Sequence, residues 1–258
     1  MLKLMDLLTE GVQDKGIFKA VFMAGGPGSG KTFINSQLFG IPEKGINLAV
    51  SGLKSVNSDK EFMFLLKKYD FDPTMLATYE KTDKDLFHHL SAPAKKGGSG
   101  LRDFAQELSK ERMKGYMDGK KGMVIDSTGS NFGKVKGQKK MLEEQGYDCY
   151  MVFVMTSLET ALKRNKLRAE KGERELPEHI VKRSWKEARK NLGGLKAVFG
   201  SNFIRVDNDD HLDPKQARQK FAPLVKHYAG KWINEPIKNP IGQQWLKDQL
   251  KLKKAGVK

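Results

Sequence analysis

The chain has 258 residues, 38% hydrophobic and 30% charged: enough apolar side chain for one generous domain with extensions, and too much for a disordered chain. Its net charge is +16 with a pI near 9.7, which attracts anions, whether nucleotides or polyanions such as nucleic acid. A single cysteine, Cys149, excludes an internal disulfide and a cysteine-rich zinc site; no apolar run nears the ~20 residues that span a bilayer, and the start does not fit a signal peptide, so the expected setting is a reducing cytoplasm.

Residues 1–16 read as a short amphipathic helix. The apolar run from Ile17 to Ala24 predicts a first strand, and a glycine-rich loop leads from it into a helix ending near Leu38. A short second strand is expected over 53–57, then a helix over 60–69. Ser91 to Gly100 is a Pro/Gly/Ser segment with two lysines, expected to be a flexible flap or an exposed connection. Leu101, Phe104, Ala105, Leu108, Met113 and Met117 recur at helical spacing over 101–118. A third strand ends at Asp126 and a helix follows around 132–145. The fourth strand runs from Tyr147 to Met155 and holds Cys149 in an apolar run, where core packing is its expected role. Helices over 157–170 and 177–192 precede a fifth strand, Asn202 to Val206. The tail from Gly230 carries Pro236 and Pro240 before a helix near 241–252. Strand and helix in alternation imply an α/β fold with a five-stranded, mainly parallel sheet covered by helices on both faces. In such sheets ligands sit beyond the carboxyl ends of the strands. Gly25, Asp59 and Asp126 each follow such an end, so three segments converge on one crevice.

Gly25-Gly26-Pro27-Gly28-Ser29-Gly30-Lys31-Thr32 fits G-x-x-x-x-G-K-[ST] in full, between a strand and a helix. Glycines let phosphate oxygens approach backbone N–H groups, and the helix that follows turns its positive end toward the anion. Lys31 is expected at the β and γ phosphates of ATP and Thr32 on Mg²⁺. Asp59 is either a carboxylate that orients or deprotonates an incoming hydroxyl, or a helix N-cap. Asp126 reads as a magnesium-holding acid, as a contact to the acceptor, or as an ordinary strand-end turn. Arg164, Arg168, Arg174, Arg183 and Arg189 lie on two helices that form either a lid over ATP, spanning about 164–190, or a solvated surface. The five histidines show no metal-ligand spacing, and Trp185, Trp232 and Trp245 are expected to pack rather than stack on bases.

At these motifs the chain resembles the zeta-toxin group of P-loop kinases and, more broadly, polynucleotide-kinase-like phosphotransferases, over about three quarters of its length, from Ile17 to Val206. The points of likeness are GGPGSGKT, then Val56-Asn57-Ser58-Asp59, then Ile125-Asp126-Ser127-Thr128-Gly129 followed by Gln138, Leu142 and Gly146-Tyr147. The resemblance implies transfer of the γ phosphoryl group of ATP to a hydroxyl of a small-molecule or nucleotide acceptor, with Mg²⁺. It implies Asp59 as catalytic residue beside Lys31, Asp126 and Thr128 on the acceptor, and Arg168 and Arg174 as the phosphate-contacting arginines. Ser130 stands where the family commonly has arginine, so the family's acceptor is not carried over. LLTEGV-x-D-x-GIFKA before the loop looks like bacteriophage-encoded members, which implies a host cytoplasm. On this reading 1–16 is an N-terminal helix, 17–229 the kinase domain and 230–258 a basic extension.

The charge is uneven. From His211 to Lys258 there are eleven Lys and Arg against three Asp and Glu, about half of the net charge. The tail is either a solvated basic surface or a dock for nucleic acid, and a nucleic-acid 5′-end kinase is accordingly the close alternative. A non-catalytic ATP-binding interaction module is the alternative from another class. It needs neither Asp59 nor paired lid arginines.

Overall fold

A computed structural model describes residue 12 and residues 14–41, 51–170, 173–209 and 214–255. The helix expected over 1–16 falls almost wholly outside these. Five strands form one parallel sheet in the order β2-β3-β1-β4-β5: β1 Lys19–Ala24, β2 Lys54–Val56, β3 Met123–Asp126, β4 Asp148–Met155 and β5 Phe203–Asp207. β1 lies in the middle, with Phe22 paired to Ile125 on one side and to Met151 on the other. Every residue of β1 and β4 is buried, as expected for central strands covered on both faces.

The two-residue period of the strands divides the core. Ala20, Phe22 and Ala24 of β1 join Cys149, Met151 and Phe153 of β4 on one face. Val21, Met23, Tyr150, Val152 and Val154 face the other way. The first face is covered by α5 (Leu101–Asp118), α6 (Phe132–Glu144) and α8 (Glu178–Phe199), through Met113, Leu142, Ala188, Leu195 and Phe199. The second is covered by α1 (Lys31–Phe39), α9 (Pro214–Leu224) and α10 (Gly230–Asn234), through Ile34, Leu38, Phe221 and Trp232. A third, smaller core built on Phe62, Leu65, Leu66, Leu76, Leu90 and Ala105 joins α2 (Ser58–Lys68), α3 (Leu76–Thr82), α4 (Lys84–Ser91) and the start of α5. These helices form a cap between β2 and β3.

The strands fall where the apolar runs predict them, one or two residues shorter at most ends. The helices depart more. α3 and α4, of seven and eight residues, were not expected; Asp83 caps α4 by accepting from Leu86 N, and Leu86, Phe87 and Leu90 turn its apolar face to the Phe62 core. α8 runs on to Phe199, past the expected end at 192 and through Gly193 and Gly194, because Leu195 and Phe199 bury themselves in the core. The segment 91–100 is an exposed connection tied back to its neighbours: Ala94 N donates to Asp103 Oδ2 and Ser99 N to His89 O.

The basic C-terminal segment is packed onto the sheet. Trp232 is 4% exposed and stacks on Tyr150 at 4.8 Å, and Trp245, on α11 (Pro240–Lys254), meets Phe18 edge-on at 5.4 Å. A Cβ on Gly242 would lie 2.4 Å from Gly146 O, so only glycine lets the first turn of α11 rest on the turn between α6 and β4. Among the described residues no helix is long and apolar enough to cross a membrane.

Candidate active site

The glycine loop joins β1 to α1 at the carboxyl edge of the sheet. Gly28 has φ 77°, and a Cβ there would lie 2.3 Å from Ala161 O, so any side chain would break the loop's contact with α7 (Leu158–Glu170). The first turn of α1 has no side-chain cap and no acid, leaving its positive end to an anion. Lys31 Nζ donates to Gly25 O at 2.8 Å and lies 3.9 Å from Asp126 Oδ1. Ser29 Oγ is buried without a hydrogen-bond partner. Asn208, at the end of β5, donates to Ser29 O at 2.8 Å, and Arg164 Nη1 donates to Asn208 O at 2.6 Å. α8 backs the loop from behind: a Cβ on Gly26 would lie 3.2 Å from Trp185 Cα, and Trp185 Nε1 donates to Thr156 O. The guanidinium of Arg189 lies 4.4 Å over the Trp185 ring.

In front of the loop lies an open cleft, lined among others by Lys31, Thr32, Asn57, Lys60 and Asp126. Asp126 enters it from the end of β3. Its Oδ2 accepts from Asn57 Nδ2 at 2.8 Å, and its Oδ1 is buried without a hydrogen bond. Burial pushes the Asp126 carboxyl above its ordinary value, and Lys31 opposes the rise. A carboxylate oxygen without a hydrogen bond, in one cleft with the Thr32 hydroxyl, fits a divalent cation that also takes phosphate oxygens and water. Among the described residues no group of three or more acids, histidines or cysteines forms a cage of its own.

Asp59 stands in the first turn of α2, yet it does not cap the helix. Asn57 does, accepting from Asp59 N at 2.8 Å. The Asp59 carboxylate meets Arg102 Nη1 at 2.7 Å and Arg174 Nη2 at 3.1 Å, both through Oδ1. Burial raises its pKa, but Arg174 and Arg102, with help from Lys31, overcome that and hold it well below the ordinary 3.8. The stability this pairing contributes is therefore present above pH 3.8 and lost as pH falls through the lowered value. Burial pulls Arg174 below its ordinary value; Asp59 opposes this, and Arg102 and Arg168 add to it. Arg168 lies 3.9 Å from Glu173 and is close enough to Asp126 and Arg174 to act on both.

Lys31, Thr32 and Asp126 line the cleft, and Asp59, Arg168 and Arg174 lie close enough to these or to one another to act on them electrostatically, so five separate segments bring the six together. Thr128 sits to one side. Its carbonyl accepts from Gly25 N at 3.3 Å and its hydroxyl lies 2.6 Å from Ser130 Oγ, while Asn191 holds the same turn through Gly129 O and Ser130 O. Arg164 and Arg189 bind strand-end carbonyls, so these two members of the arginine group brace the scaffold. The sequence reading missed Arg102, Asn57 and Asn208. Asn57 had a signal, because asparagine two residues before an acid at a helix start is a strong N-cap. Arg102, 43 residues from Asp59, had none.

A glycine loop of this geometry, between a central strand and a helix at the carboxyl edge of a parallel sheet, defines a P-loop nucleotide-binding domain. The chain belongs to the AAA_33 family: the family model, described as an AAA domain, matches residues 21–193. No curated protein matches the chain. Among solved structures it is similar to a provisionally named kinase from Chloroflexus aurantiacus J-10-fl, at 12% identity and TM-score 0.48, over 81% of this chain and 96% of that one. It is also similar to a chain of the PezAT toxin–antitoxin system of Streptococcus pneumoniae, at 15% identity and TM-score 0.48, over 95% and 90%. At these scores neither bears on what this chain does.

Proposed function

We propose that the protein is an ATP-dependent phosphotransferase of zeta-toxin-like type, which moves the γ phosphoryl group to a hydroxyl of a small-molecule or nucleotide acceptor. The observation that carries this reading is Asp59: a carboxylate held by two arginines at the mouth of the nucleotide loop, relieved of capping by Asn57. A domain that only binds ATP needs no such group. In the proposed reaction Lys31 and the N–H groups of Gly25 to Thr32 hold the phosphates. Thr32 and Asp126 hold Mg²⁺, which neutralises phosphate charge. Asp59 orients the acceptor hydroxyl and takes its proton late, since its lowered pKa makes it a weak base. Arg168 and Arg174 meet the charge spread over the transferring group. Asp126 and Thr128 border the acceptor's side.

The test is incubation with γ-labelled ATP and a panel of nucleotides, nucleic-acid 5′ ends and UDP-sugars. With the acceptor that takes label, Asp59→Asn is expected to bind ATP as before and to transfer roughly 10²-fold more slowly or worse. Full transfer by that variant would remove Asp59 from the mechanism.

The basic C-terminal segment favours a second reading, a nucleic-acid 5′-end kinase. Lys247, Lys251 and Lys254 are exposed on α11, away from its packed residues. On the first reading duplex DNA binds weakly, and the triple change Lys247→Glu, Lys251→Glu, Lys254→Glu alters it little in filter binding. On the second, binding falls steeply with salt, and the triple change flattens the slope by about 0.9 for each lysine that met a phosphate.

A further inference from the structure

Two guanidinium groups on one carboxylate oxygen leave an excess of positive charge, and the two are not held alike. Arg102 comes from the first turn of α5, which belongs to the cap. Its guanidinium carbon lies 4.9 Å from the centre of the Phe62 ring, against 5.5 Å for Arg174, and Phe62 is fully buried in the cap's own core. Phe62 lies one helical turn beyond Asp59 on α2, so Arg102 and Asp59 share one support. Arg174 comes from the other side of the crevice, just before α8, and has Arg168 as a like-charged neighbour. Lys31 from α1 and Asp126 from β3 also act on Asp59, and Lys60, next to it on α2, acts on Asp126.

Resting on the phosphotransfer reading above, we propose that Arg102 is a positioning residue: it keeps the Asp59 carboxylate turned into the crevice while Arg174 leaves Asp59 to meet the transferring phosphoryl group. Both arginines bind Oδ1, which leaves Oδ2 for the acceptor hydroxyl. With Arg174 alone, its move to phosphate would strip Asp59 of its partner and let a half-exposed side chain turn to solvent. Arg102 removes that conflict, because its support lies in the cap and not on the nucleotide side.

The test uses the full-length protein, the labelled acceptor found with the panel, and the variants Arg102→Gln, Arg102→Lys, Asp59→Asn and the double Arg102→Gln/Asp59→Asn, each checked for a native melting transition. Arg102→Gln is expected to lower kcat about 10- to 100-fold with KM for ATP changed less than about threefold, because the loss is one of orientation. Arg102→Lys should recover part of it. In the Asp59→Asn background Arg102→Gln should cost less than about threefold more, since its role runs through Asp59. Crystal structures with Mg·ADP give a reading independent of activity: Asp59 in one rotamer facing the crevice in the wild type, and turned away or divided between rotamers in Arg102→Gln. Equal kcat, losses that multiply in the double variant, or an unmoved Asp59 in Arg102→Gln would overturn the proposal alone. No label in any acceptor with the wild type overturns the phosphotransfer reading and this proposal with it.

Discussion

Lys31→Ala is expected to lose ATP turnover by about 10²- to 10³-fold, the range seen when one preorganised charge-stabilising group is removed. Two effects add. The loop loses its one cation, and the Asp126 carboxyl loses the neighbour that opposes its upward shift. Fold damage should be small. Lys31 contributes one hydrogen bond to Gly25 O and a weaker one to Gly26 O, while the loop is also held by Asn208, by Trp185 and by the turn at Thr128. Calorimetric titration with ATP and a thermal melt separate the two contributions. Unchanged ATP affinity and turnover would contradict the nucleotide-binding assignment of the loop.

Asp148→Ala is expected to destabilise the protein by about 3–5 kcal/mol, because it strands a buried cation. Lys19 is 2% exposed at the start of β1, and its Nζ meets Asp148 Oδ2 at 2.9 Å and Tyr150 Oη at 3.3 Å. The same carboxylate accepts from Lys238 N and Asn239 N at 2.9 Å each, and Tyr150 Oη donates to Glu235 Oε1. One buried acid thus fastens the C-terminal segment to the two central strands, at the end of the sheet opposite the nucleotide loop. Urea unfolding should show the loss as a lowered midpoint. The pair change Lys19→Met with Asp148→Leu should recover only part of it. An apolar pair replaces the ion pair well, but it offers no acceptor to the two backbone N–H groups of 238 and 239. A loss under about 1 kcal/mol for Asp148→Ala would mean that water reaches Lys19 and that the segment is docked by its apolar residues alone.

This bears on the lysine-rich segment. Composition presents it as a charged tail, separable from the domain. Trp232, Ile237 and Trp245 are instead built into the two main cores. Removing residues 231–258 would expose both cores and leave the Lys19–Asp148 pair open, so charge reversal on α11, not truncation, is the clean way to ask whether its lysines meet a polyanion.

The nucleotide loop was fully legible in the sequence because its chemistry is local. Eight consecutive residues supply the glycines, the lysine and the hydroxyl, and the helix that follows is set by the same stretch. The strands were legible for a similar reason: each is a short apolar run, and the order of strand and helix restricts the sheet to a parallel one. Asp59 and Asp126 could be picked out as strand-end acids, but what each touches could not. Whether Asp59 caps a helix or faces a substrate depends on Asn57, two residues away, and on Arg102 and Arg174, 43 and 115 residues away. No periodicity records such distances. The short helices α3 and α4 span about two turns each, too little for the reading to separate them from loop even though Leu86, Phe87 and Leu90 give α4 an apolar face against the Phe62 core. Lys19 read as one more positive charge until Asp148 was seen beside it. Local backbone chemistry and apolar patterning were determined by the sequence alone. The partner of each buried or crevice-facing charge was decided only by the tertiary structure, because an ion pair is chosen by distance in space and not along the chain.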